Sequence, residues 1–102
     1  MYRFTGFTQK ANDALNSAIT AAENFGHTYV GSEHILLGLL AESGGMAHTA
    51  LTARKVTYNE VETVIKSSIG IGSPTVLSPN DFTPRAKNII DTAILQGRNM
   101  GH

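Results

Sequence analysis

Five residues in the first half of the chain carry side chains that catalysis or metal binding would use: His27, Ser32, Glu33, His34 and His48. A serine nucleophile needs an imidazole in contact with it and a carboxylate orienting that imidazole, and no nucleophile elbow or comparable context surrounds Ser32. On a helix, Glu33 and His34 would point about 100° apart. His27, His34 and His48 lack the i, i+4 spacing of a helical metal site, and the chain has no cysteine to join them. No Walker-type phosphate loop is present either, so neither nucleotide hydrolysis nor a cofactor of this chain is expected. The histidines are therefore read as structural: His34 packed and hydrogen-bonded on a central helix, His27 fixing the turn before it.

A different chemistry is open to Thr8 and Glu33. Thr8 precedes an apolar-periodic segment and can cap it, and the first-turn amides of such a helix, which have no partner inside it, suit an anion. Glu33 places a fixed negative charge at the start of the next helix. Together they would suit a ligand carrying both signs. Equally, Thr8 can be a cap and Glu33 a complement to its helix dipole, and the residues themselves leave both readings open.

The elements that must position these groups are helical. Ala11, Ala14, Leu15, Ala18, Ile19, Ala22 and Phe25 recur at helical spacing, with Asn12, Asp13, Asn16, Thr20 and Glu23 on the opposite face and Gly26 at the end. Ser32 is expected to cap a second helix whose segment Ile35–Leu40 is apolar nearly all round, with Leu36, Leu37 and Leu40 buried. Gly44-Gly45 interrupts, and Met46 to Ala53 suggest a short third helix. Thr57 to Glu60 reads as a capping box for a fourth, with a stripe of Val61, Val64, Ile65 and Ile69. Gly26, Gly31, Gly44 and Gly70 fall where helices end or reverse. Alternating β-branched runs are confined to Tyr29-Val30 and Thr75 to Leu77, so the fold is predicted to be all-α.

Composition narrows the function further. Eight basic residues balance eight acidic ones, which removes the positive field that phosphate backbones attract and argues against nucleic acid. The longest apolar run, Ile35–Leu40, falls far short of the ~20 residues that cross a bilayer, so no membrane is expected. Met1 to Gly6 does not resemble a signal peptide, and a cytoplasmic protein is expected.

The chain also repeats itself. Residues 70–81, with two glycines and two prolines, read as a linker, and beyond it Phe82 to His102 align with Phe7 to His27 at an offset of 75. Eight of the 21 positions are identical, among them Phe7/Phe82, Thr8/Thr83, Ala18/Ala93 and His27/His102. The expected organisation is a first repeat over 1–69, the linker 70–81, and the first helix of a second, truncated repeat over 82–102. The helix from about Thr83 to Met100 carries Ala86, Ile89, Ile90, Ala93 and Ile94 on one stripe, so self-association through residues 83–100 is expected.

The phrases FTQKA at 7–11, GHTYVGSEHILLGLL at 26–40 and FTPRAKNIIDTA at 82–93, followed by a closing GH, resemble the N-terminal repeat domain of Clp-type AAA+ unfoldases, closest to the ClpC type. The resemblance runs along essentially the whole chain. It implies a bundle of two four-helix repeats, here repeat one and the first helix of repeat two, and a non-catalytic module that receives adaptor proteins and protein substrates. The parent ATPase ring and a Clp peptidase would be its assembly partners, with ATP and Mg expected only in ATPase domains outside this chain. It further implies recognition of phosphoarginine at one site per repeat, with Thr8 and Glu33 matching in repeat one and Thr83 in repeat two. Ser32 stands where threonine is usual, and the second repeat's glutamate would lie past His102. A free-standing Clp-N-like protein that binds a small ligand or partner without an ATPase is the alternative.

Overall fold

The computed structural model describes residues 2–42 and 46–99, with the backbone alone for 46–48, 50 and 93–99. It is all-α. The helices are α1 (Gln9–Phe25), α2 (Ser32–Ala41), α3 (Met46–Ala53), α4 (Tyr58–Ser68) and α5 (Pro84–Asn99), with a 3-10 turn at Pro79–Asp81. Among the described residues the sole β-type pairing is an isolated parallel bridge between Val30 and Phe82.

Local chemistry starts three helices where the sequence indicates. The Thr8 hydroxyl accepts the Ala11 N–H, Thr57 the Glu60 N–H and Thr83 the Ala86 N–H. Ser32 is an exception. It is the first helical residue rather than the cap; Gly31 occupies the cap position, and the His34 ring, not a hydroxyl, accepts the Gly31 N–H at 2.9 Å.

α1 and α2 form the centre. Gly38 faces the backbone of Ala14 and Ala18, and Phe25, at the other end of α1, lies beside His34 near the start of α2. The two helices therefore run antiparallel. Their interface buries Leu15, Ala18, Ile19, Ala22 and Ile35, continued by Val30, Leu77, Phe82 and Ala86. A second cluster joins Ala21, Phe25 and Leu37 to Ile65 of α4. Leu37 and Leu40 are buried as expected, whereas Leu36 is half-buried. On α4 only Ile65 of the expected stripe is buried; Val64 and Ile69 are exposed.

Asn12, read from its polarity as an outer-face residue, is buried. Its side-chain amide donates to the carbonyls of Phe4, Phe7 and Thr8 and its oxygen accepts the Phe4 N–H. One turn on, Asn16 exchanges hydrogen bonds with both backbone groups of Tyr2. These two asparagines bind the N-terminal arm along α1 and bring Phe4 edge-on to Phe82, with ring centroids 6.0 Å apart. A helical wheel cannot register this, because the partner is backbone from outside the helix.

Residues 70–81 cross the C-terminal end of α1. The Gly72 N–H donates to Phe25 O (2.7 Å), the Thr75 N–H to Glu23 O (3.1 Å) and the Leu77 N–H to the Glu23 carboxylate (2.8 Å), while Leu77 enters the core.

Candidate functional site

The antiparallel arrangement decides which of the sequence-derived site residues can act together. Thr8 caps α1 about eight residues before the point where Gly38 crosses, and Glu33 precedes Gly38 by five residues in the opposite sense. At about 1.5 Å per residue the two are separated along the helix axes by roughly 20 Å. One arginine-sized ligand cannot touch both, so the pairing of Thr8 with Glu33 is corrected.

Thr83 is the group brought to Glu33's end of the bundle. The Val30 N–H donates to Asp81 O (2.8 Å) and the Thr83 N–H donates to Val30 O (3.0 Å), which fastens the start of α5 to the strand-like link that enters α2. Glu33 lies three residues past Val30, in the first turn of α2. Two helix N-termini thus meet: α5, capped by Thr83, begun by Pro84 and carrying exposed Arg85, and α2, carrying Glu33.

Beneath Glu33 lies a pair of histidines that the sequence marks only as separate structural residues. His27 Nδ1 and His34 Nε2 are 2.8 Å apart, and His27 Nε2 is 2.9 Å from Gly70 O. The partners fix the tautomers. The Gly31 N–H can only donate, so His34 Nδ1 accepts and its proton sits on Nε2; that proton is donated to His27 Nδ1, and the His27 Nε2–H is donated to Gly70 O. The chain of bonds is complete with both rings neutral. Tyr29 stacks on His27 at 5.8 Å between centroids and meets His34 edge-on at 5.4 Å. Burial, with a smaller contribution from Glu33, pushes the Tyr29 hydroxyl above its ordinary range.

Burial, and secondarily the charge His27 can carry, lowers the His34 pKa from 6.5 to about 4. The contact of 3.4 Å between His34 Nδ1 and Glu33 Oε1 is therefore not an ion pair at neutral pH, because that nitrogen has no proton to give. Among the described residues, Glu33 Oε1 is the buried side-chain atom without a hydrogen bond. The linkage has a definite sign. An unfolded chain takes up a proton on this imidazole below about pH 6.5, whereas the folded ring resists until about pH 4. Stability from His34 is thus complete above pH 6.5 and declines as pH falls towards 4, by about 3 kcal/mol in all for a shift of this size. Urea unfolding at pH 7 and pH 4.5 is expected to show most of that loss, and His34→Gln, which cannot titrate, is expected to reduce the difference between the two pH values.

Ser32 is half-buried in the first turn of α2, and the His48 side chain lies outside the described residues. Among the described residues no three His, Asp or Glu side chains are grouped to hold a metal ion, and no helix is long and apolar enough to cross a membrane.

The family model for the Clp repeat (R) N-terminal domain matches residues 6–102. The chain belongs to the Clp N-terminal repeat family. Over 99 residues, 97% of the chain, it is 39% identical to the ATP-dependent Clp protease ATP-binding subunit ClpA homolog of Cyanidium caldarium. It is 35% identical over the same share to the chaperone protein ClpC1, chloroplastic, of Arabidopsis thaliana. These alignments cover 12% and 11% of the relatives, so this Clp N-terminal domain spans about one eighth of their length or less. ClpA-named and ClpC-named relatives match at similar levels.

Proposed function

We propose that this domain is the non-catalytic, substrate- and adaptor-receiving N-terminal module of a ClpC-like ATP-dependent unfoldase of the cytoplasm, working with a Clp peptidase. The match to Clp ATPase subunits across nearly the whole chain carries this reading. ATP and Mg would be bound by ATPase domains, not by the residues described above. A stretch of gene encoding Walker motifs downstream would support this reading over a free-standing Clp-N-like protein.

The ligand in this proposal is phosphoarginine on marked proteins. Its phosphoryl oxygens would face the Thr83 end of α5, and its guanidinium N–H groups the Glu33 carboxylate. A helix N-terminus favours the anion, and a carboxylate favours the forked cation. The fastening of Thr83 to Val30 supports the pairing. Thr8 would serve the equivalent site with a carboxylate of the second repeat.

Calorimetric titration with phosphoarginine tests the assignment. Glu33→Ala is expected to weaken binding by about 1.5 to 3 kcal/mol, the scale of a charged hydrogen bond. The fold should persist, since His34 rather than Ser32 satisfies the Gly31 N–H. Thr83→Ala should also weaken this site, whereas Thr8→Ala should leave it unchanged at a distance of roughly 20 Å along the helices. Glu62→Ala on α4 is the control. Wild-type affinity in the Glu33 variant would sink the site.

Self-association belongs to the same proposal. Ile89 of α5 is 43% exposed and borders an apolar cavity of about 130 Å³ shared with Phe7, Leu39 and Ile90. Sedimentation equilibrium of the 102-residue chain is expected to show concentration-dependent association that Ile89→Lys abolishes; a strictly monomeric wild type would refute it.

A further inference from the structure

The surroundings of Glu33 have a feature that capping does not explain. Gly31 has φ −100° and ψ −178°, an extended conformation open to any residue, so its backbone does not require glycine. What a side chain there would meet is the Glu33 carboxylate: a Cβ at position 31 would lie 2.1 Å from Glu33 Oε1, so the carboxylate would have to swing out of its present place. The carboxylate is folded back into the space that a side chain would occupy. There its inner oxygen is buried with no donor, while the side chain as a whole remains about one-third exposed, at 32%.

The donors of the turn and relay beside it are committed elsewhere. The Gly31 N–H is taken by His34 Nδ1, the His34 N–H by His27, and the His27 N–H by Gly70 O. Moving the His34 proton to Nδ1 would place it against Glu33 Oε1 and pair the carboxylate internally. That tautomer would also set N–H against N–H at Gly31, and passing the reversal through His27 would leave Gly70 O without its donor. The far end of the relay, on the segment that follows α4, therefore controls the proton nearest Glu33. The other titratable group against the pair, Tyr29, has its proton held more tightly by burial and by Glu33 itself.

We infer that His27, His34 and Gly31 form a positioning device for Glu33, which keeps the carboxylate folded back and withholds the His34 proton from it, so that a guanidinium ligand does not compete with that imidazole. The inference rests on the proposal that Glu33 receives such a ligand. It accounts for two otherwise unconnected observations: a glycine without a backbone need, and a carboxylate oxygen buried without a partner.

Two measurements test it. Nitrogen-15 NMR of the wild-type imidazoles at pH 7 is expected to show both histidines protonated at Nε2 and bare at Nδ1; a proton on His34 Nδ1 would overturn the inference whatever the chain binds. Titration with phosphoarginine is expected to show at least tenfold weaker binding for Gly31→Ala, with an unfolding midpoint within a few degrees of wild type. His34→Gln is expected to bind within about threefold of wild type, since its carbonyl can accept from Gly31 and its amide can donate to His27. Equal affinities of Gly31→Ala and wild type would overturn the inference alone. A wild-type chain with the stated tautomers and no affinity for phosphoarginine would instead overturn the ligand assignment.

Discussion

Replacing Gly38 by alanine is expected to cost at least about 3 kcal/mol, the upper end of the usual overpacking range, or to prevent folding, even though alanine is the better helix former by about 1 kcal/mol. The added Cβ would fall 2.1 Å from the Ala14 carbonyl oxygen and 3.0 Å from the Ala18 nitrogen. Both are backbone atoms of a helix and cannot turn aside. α1 and α2 would have to separate by about 1 Å or more, and close-packed interiors do not absorb such a change locally. Leu37, Ala18 and Ala22, all fully buried at this interface or beside it, would lose contact together. Urea denaturation monitored by circular dichroism measures the loss. A stability within about 1 kcal/mol of wild type would mean that the helices are not in contact at Gly38.

Gly38 also shows how far the sequence could be read. Its place in the apolar run Ile35–Leu40 identifies a buried helix, yet a glycine inside a helix, taken alone, is merely a weak point. Only the neighbouring helix gives it a purpose. The helices themselves were legible because periodicity and capping are local: α1, α4 and α5 begin beside Thr8, Thr57 and Thr83, whose hydroxyls accept first-turn amides as their chemistry suggests. The cap of α2 was misread for the same reason, since Ser32 is the better capping type, whereas the residue that serves is His34, reaching back to Gly31.

The site was less legible than the fold. Thr8 and Glu33 carry the residue types that an anion and a cation would call for, but whether they meet depends on α1 and α2 running antiparallel, and spacing along the chain does not encode that. The bridge from Val30 to the Phe82 region places Thr83 at Glu33's end instead, through backbone hydrogen bonds that any residue types could make. His27 and His34 are seven residues apart, a spacing with no metal or catalytic pattern. Their contact arises because a turn closed by Gly26 returns the chain beside α1 before α2 begins.

That turn carries the second large effect. Gly26 closes α1 in the left-handed region at φ 75°, with its own N–H returned to Ala22 and Glu23. For an L side chain the conformation alone costs about 1 to 2 kcal/mol. Position 26 adds a steric term, because a Cβ there would lie 2.3 Å from the Gly72 carbonyl carbon and 2.5 Å from Ser73 O. The crossing segment would have to lift from the end of α1. It would give up the bonds from Gly72 N–H to Phe25 O, from the Thr75 hydroxyl to His27 O and from the His27 ring to Gly70 O. At about 1 kcal/mol for each lost bond, the total for Gly26→Ala is expected to exceed about 4 kcal/mol. Gly70→Ala separates the two contributions: its φ of 91° carries the same conformational strain, but nothing lies within 4 Å of the added Cβ. It should cost only about 1 to 2 kcal/mol. Thermal and urea unfolding of both variants gives the comparison. Because the His27–Gly70 bond anchors the relay beneath Glu33, the Gly26 variant should also show exchange of the protected Gly72 and Thr75 amides before global unfolding. Equal losses in the two variants would mean that residues 70–75 do not lie against Gly26.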